Sequence, residues 1–250
     1  MASLDARDLR GSSFTGADLT GARFRDCDMR QVKIISSVLV DVSVSGEIEN
    51  FLVNGIDVTG YVAAELDRRH PERVLVRQMK TVADHREAWR TIETLWSDTL
   101  TRAERLPEPL LHERVDDEWS LVETLRHLVF ATDLWASQLI LGTPAPYHRL
   151  ALPPSDHPAE ALRELGLDPG ARPAYAEVLS IRLERAALVR DILDHLTEER
   201  LRSRCPGTLP FAWDEPSPSV GEALTVVMEE EIEHRRYVLR DLRALESRRG

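Results

Sequence analysis

Lysine is nearly missing from this chain: Lys33 and Lys80 are the only two, and arginine carries the rest of the positive charge. That bias points to a GC-rich genome more than to any mechanism. Positive charge is short overall, with 32 basic against 43 acidic residues and a formal net charge of -11. Such a balance opposes a broad phosphate-binding face, so nucleic acid is not an expected partner. No apolar run approaches the roughly 20 residues of a membrane span, and the opening "MASLDARDLR" lacks the basic-then-apolar pattern of a secretion signal. Neither a membrane partner nor export is expected. Cysteine occurs only as Cys27 and Cys205, far apart in unrelated contexts, which argues against a disulfide framework and fits a reducing cytoplasm. A glycine-rich phosphate loop and a serine nucleophile elbow are also missing, which removes two large enzyme classes.

What is present divides into two patterns. From "ARDLR GSSFT GADLT GARFR DCDMR" an apolar residue recurs every five positions, at Leu9, Phe14, Leu19, Phe24 and Met29, then at Ile34, Leu39 and Val44, and the register fails at Glu49. Neither a helix nor a flat strand has that period; it predicts stacked coils that bury one residue per repeat and need neighbours to close their core. Asp5, Asp8, Asp18, Asp26 and Asp28 are matched by Arg7, Arg10, Arg23, Arg25 and Arg30, so the repeats carry no continuous acidic face. The segment "EIENFLVNGIDVTGYVAAELDRRHPER" follows, with a turn signal at Asn54-Gly55 and an end at Pro71, and reads as an ordered connector. After it the period becomes helical, with Val82, Trp89, Ile92, Trp96 and Leu100 on one helix, then helices over 120–141, 174–197 and 220–246. Ser120 with Glu123 and Ser219 with Glu222 form capping boxes at two of the starts. Four long helices without intervening strands predict a bundle, with long joints able to shape a pocket at its ends.

The fourth helix carries the chemistry. Val220, Leu224, Val227, Val238, Leu242 and Leu245 define its apolar stripe; Glu231 projects near the middle, His234 lies at the edge, and Glu230 flanks it on the His234 side. Glu229 and Glu233 point away, as solvated charges. Residues three or four apart can converge on one ion, so Glu230 with His234 and Glu231 with His234 are both candidate metal pairs. His127, in "EWSLVETLRHLVFATDLW", lies off the main stripe of its helix and can supply a third ligand. Glu123, one turn earlier, is either the cap partner or a support for that histidine. His148, in "PAPYHRLALPP", can enter the site from a loop. His85, His112, His157 and His195 lack comparable partners, and Cys205 reads as an idle thiol.

The pentads, "GADLT" most cleanly, resemble the pentapeptide-repeat family, whose A(D/N)LXX motif implies a right-handed quadrilateral β-helix of four repeats per coil, here about two coils serving packing or a homodimer. The remainder resembles the DinB-like four-helix bundles, which include thiol-dependent transferases and mycothiol-dependent maleylpyruvate isomerases. "WSLVETLRHL" matches their W-S-x-x-E-x-L-x-H-L entry to the second helix, and Glu230 with His234 matches the E-x3-H form of the pair on the fourth. Similar actinobacterial proteins join such repeats to such a bundle. The fold class implied is mainly α: a DinB-like bundle over 74–250, preceded by a repeat β-helix over 1–50 and a connector over 51–73. The resemblance also puts a divalent metal on His127, Glu230 and His234, with Glu231 or His148 as an additional ligand or pocket residue. Two imidazoles and a carboxylate suit zinc or nickel, and also manganese or iron. The activity implied is transfer or isomerisation of a small electrophile with a low-molecular-weight thiol, mycothiol above others; the alternative is a noncatalytic metal- or ligand-binding module.

Overall fold

A computed structural model describes residues 8–25, 27–154, 159–209 and 216–248, with backbone alone at 159–161. The chain divides into two compact units, Met1–Val44 and Ser45–Gly250. Asp5, Arg7, Asp26 and His157 lie outside the described residues.

In the first unit the five-residue period is written in the backbone. Gly11, Gly16 and Gly21 have φ of 74°, 65° and 74°, and Gln31, Ser36 and Asp41 continue the series at 64°, 52° and 56°. Glycine enters that left-handed region freely, whereas the later side chains pay roughly 1 kcal/mol or more for it. Aspartates one residue before the apolar position close the turns: Asp8, Asp18 and Asp28 each accept, through Oδ1, the backbone N–H two residues on, at 3.0 to 3.1 Å. No strand is assigned among the described residues of this unit. The apolar positions are not interior. Leu9, Phe14, Leu19 and Phe24 are 45, 58, 51 and 61% exposed, contrary to the expectation of one buried residue per repeat, because so few pentads supply too few neighbours to cover one another. Leu19→Ala or Phe24→Ala is therefore expected to change unfolding free energy by about 1 kcal/mol or less, against the 2–5 kcal/mol of a buried site; chemical denaturation of the full chain checks it.

The second unit opens with a hairpin, β1 (Leu52–Val53) and β2 (Ile56–Asp57), joined by Asn54 and Gly55 at φ of 51° and 79°. Two left-handed residues in sequence make the turn whose twist matches antiparallel strands. Helices α1 (Thr59–Arg69) and α2 (Glu72–Arg77) lead to the bundle, which consists of α3 (Val82–Ala103), α5 (Leu121–Thr132), α7 (Tyr175–Asp194) and α9 (Val220–Ser247). Short helices α4 (Glu108–Leu111), α6 (Ala159–Glu164) and α8 (Glu198–Arg202) lie in the joints. Both predicted capping boxes are formed, and Thr81 with Asp84 makes a third. Helix α5 packs on α7 and α9, and α3 closes the ring against the same two. Trp89, Ile92, Leu125, Leu128, Leu193, Leu224, Met228 and Leu242 fill the interior.

Every residue of α5 except Glu123 is buried. One side faces the bundle interior; Val129 and Phe130 face a second, smaller core made with Leu150, Ala151, Leu162, Leu167 and Ile181, so the long joint after α5 is folded back onto it. The helix continues over Asp133–Ile140 in π geometry. Gly207 N–H donates to the Leu139 carbonyl at 3.0 Å there, and a Cβ on Gly207 would lie 1.9 Å from the Gln138 carbonyl oxygen, so only glycine permits the approach. Among the described residues no helix is long and apolar enough to cross a membrane.

Candidate metal centre

His127 stands at the middle of α5 on the side that meets α9 and is 5% exposed. Its Nδ1 lies 3.0 Å from the Leu152 carbonyl oxygen, and its Nε2 lies 3.3 Å from Glu230 Oε2. On α9, His234 Nδ1 is 2.9 Å from the Glu230 carbonyl oxygen and 3.2 Å from the same Oε2. One ligand atom from each of His127, Glu230 and His234 lies within 4.8 Å of the others, which makes a group able to hold a metal ion. The two imidazole centroids are 4.6 Å apart, and the half-buried Trp119 indole packs 4.8 Å from His127 and 6.2 Å from His234.

Burial pushes His127 down, toward the neutral imidazole. Burial alone would push Glu230 up, but its two histidine neighbours outweigh that and hold its carboxyl well below the ordinary range, so it stays ionised. The Leu152 carbonyl can only accept, so the short contact places a proton on His127 Nδ1 and leaves Nε2 facing Glu230 Oε2. At 3.3 Å that pair is close enough to share either a proton or a cation. The donor set itself, two nitrogens and one oxygen, is that of a metal site with exchangeable positions.

The neighbouring carboxylates go elsewhere. Glu231, expected near the metal, is 1% exposed and points into the bundle, where Oε1 accepts from Arg182 Nη2 of α7. One residue is about 100° around a helix, enough to send Glu230 to one face and Glu231 to another. Glu229 is exposed as expected, whereas Glu233 accepts from Arg236 at 3.0 Å and also pairs with Arg73, so it is not simply solvated. His148 lies outside the three-residue group: its Nδ1 accepts the Leu150 N–H at 3.2 Å, and its backbone N–H donates to the buried Asp133 at 2.9 Å. Of the two roles open to Glu123 the structure shows the cap, together with a pair to Arg114 with Nε at 2.9 Å, and the support for His127 comes from the Leu152 carbonyl. His85 and His195 bond through Nδ1 to carbonyls on their own helices at 2.8 and 2.9 Å.

Three contributors escaped the sequence reading. Trp119 had a signal, as the first letter of the motif that carries His127. Tyr237, edge-on to His234 at 6.3 Å and flanked by the Arg236 and Arg240 guanidinium groups, had only its i+3 spacing. The Leu152 carbonyl had none. Cys205 is buried, and burial pushes its thiol up to about 11, so it is not a nucleophile near neutral pH. Cys205→Ser is expected to leave metal content and any thiol-consuming rate within about twofold of the parent.

Two family comparisons cover these regions. The profile described as DinB superfamily matches residues 91–238, and that of pentapeptide repeats matches residues 2–34 in 8 copies. No curated protein matches the chain, and no solved structure does.

Proposed function

Because the chain belongs to the DinB superfamily, by a match that encloses all three grouped side chains, we propose that His127, Glu230 and His234 hold one divalent cation, zinc or nickel by preference, and that the centre is a transferase or isomerase using a low-molecular-weight thiol on a small electrophile. The observation that carries the reading is the convergence of one ligand atom each from His127, Glu230 and His234 within 4.8 Å, with the Glu230 carboxyl held well below its ordinary range by the two histidines. The cation would supply the Lewis acidity that deprotonates a coordinating thiol near neutral pH. The chain's own residues supply the rest. Leu152 fixes the His127 tautomer, Glu230 contributes the negative charge, and Trp119 keeps water from one side of both imidazoles. Cys27 and Cys205 are both free, which supports a cytoplasmic setting among reduced thiols, and mycothiol is the first thiol to try.

For the repeats we propose a right-handed β-helix of about two coils that serves assembly, a homodimer in the simplest case, supported by the exposed Leu9, Phe14, Leu19 and Phe24. That exposure equally favours the second reading, a noncatalytic metal-binding module assembled through its repeats. Metal analysis of the purified chain, followed by thiol consumption with mycothiol against a small electrophile, separates the two. A metal-dependent rate above the uncatalysed reaction is expected; bound metal without such a rate favours the module.

A further inference from the structure

Immediately before His127 the buried face of α5 carries a full charge. Arg126 is 3% exposed, and its guanidinium reaches across to the joint between α5 and α7. Nε donates to the Leu150 carbonyl at 2.7 Å, Nη2 to the Asp168 carbonyl at 2.7 Å, and Nη1 to the Ala171 carbonyl at 2.8 Å, with the Pro169 carbonyl at 3.5 Å. The two ends of the joint are also tied to each other, Asp168 N–H donating to the Arg149 carbonyl at 2.8 Å. In return the Leu152 N–H donates to the Arg126 carbonyl at 3.1 Å, which lays residues 150–152 along α5. The next carbonyl in that short run, on Leu152, is the acceptor for His127 Nδ1 at 3.0 Å.

A planar guanidinium presents five donors in a fixed fork from three nitrogens, which suits three carbonyls spread around it better than the three donors of a lysine ammonium that radiate from one atom. Burying it among neutral acceptors is expensive compared with a methionine of similar length, and loop anchoring alone is already served by the apolar core around Leu150, Leu162 and Leu167. What the fork adds is direction, because it fixes the carbonyl run against which the imidazole is oriented.

We propose that Arg126 is a positioning residue for the metal centre: by clamping Leu150, Asp168 and Ala171 it fixes the Leu152 carbonyl, which commits His127 to the Nδ1–H tautomer and aims Nε2 at Glu230. The role in metal binding rests on the metal reading above, but the tautomer does not. The test uses the full chain with Arg126→Met and Arg126→Lys. Nitrogen-15 correlation spectra of metal-free protein report which ring nitrogen of His127 carries the proton, and zinc titration against a competing chelator reports affinity. The parent is expected to show a single Nδ1–H form. Arg126→Met is expected to show mixed tautomers and about 10- to 100-fold weaker zinc binding, the loss typical of removing support behind a metal-ligating histidine. Arg126→Lys, which keeps charge and can satisfy part of the cradle, is expected to fold and fall between them. An unaltered His127 tautomer in both variants overturns the proposal, whatever happens to the melting temperature. Zinc binding absent from the parent overturns the metal reading alone, and the tautomer comparison still decides the role of Arg126.

Discussion

Glu231→Ala is expected to destabilise the second unit by about 3–5 kcal/mol, a large share of the stability of an ordinary domain. Glu231 and Arg182 are 1% and 6% exposed, so removing the carboxylate strands a guanidinium in the bundle interior. The pair is incompletely satisfied even when intact, because Glu231 Oε2 and Arg182 Nη1 have no hydrogen-bond partner. Burial pushes the Glu231 carboxyl up and the Arg182 charge pulls it back without cancelling the effect. The pair therefore adds little net stability against an apolar replacement, although breaking it is costly. Glu231→Leu combined with Arg182→Met is expected to recover most of the loss, and urea denaturation of both single variants and the double gives the coupling directly. A cost under about 1 kcal/mol for Glu231→Ala would mean that the pair is open to water.

The same two residues show where the sequence ran out. The apolar stripe of α9 puts Glu231 near its centre and Glu230 beside it, a pattern from which either carboxylate can be paired with His234. What separates them is Arg182, and α7 gives no sequence sign of it: that helix is charged around much of its circumference, with Arg182, Glu184, Arg185 and Arg190 in succession. Only tertiary packing shows that Arg182 turns inward and Arg190 outward, toward Glu93. His127 was legible because the motif around it has fixed spacing and its helix starts at a capping box. The carbonyl that orients it was not, since a backbone oxygen has no letter of its own and Leu152 lies 25 residues away.

The repeats were legible for a different reason. Their period is a backbone property, and glycine at 11, 16 and 21 with aspartate at 8, 18 and 28 records the left-handed turn and its hydrogen bond in the sequence itself. Burial is not recorded in that way. Leu and Phe at these positions would be interior in a closed stack of coils and are half exposed here, so the pentads announced local geometry and not a core. The π geometry after Thr132 was also invisible, because an apolar run such as "DLWASQLI" is equally compatible with a regular helix.

His127→Ala, His234→Ala and Glu230→Gln are each expected to weaken divalent-metal binding by on the order of a hundredfold or more, beyond the usual effect of removing a supporting residue. Each supplies a different ligand atom, and the three lie within 4.8 Å of one another, so none substitutes for another. Glu230→Gln keeps the size of the side chain but removes the charge that pairs with a cation, and it leaves His127 Nε2 facing an amide. Glu231→Gln is the informative partner, because it changes the adjacent carboxylate while the metal-facing atoms remain. It is expected to lower stability yet retain near-stoichiometric metal, measured by equilibrium dialysis of zinc and nickel at a temperature where every variant is folded. A ligand that binds only the folded state also raises its melting temperature, so added zinc should stabilise the parent and Glu231→Gln but not the three ligand variants. Equal retention in all four would remove the site; loss in Glu231→Gln with retention in Glu230→Gln would transfer the ligand role to Glu231 and require the two carboxylates to exchange faces.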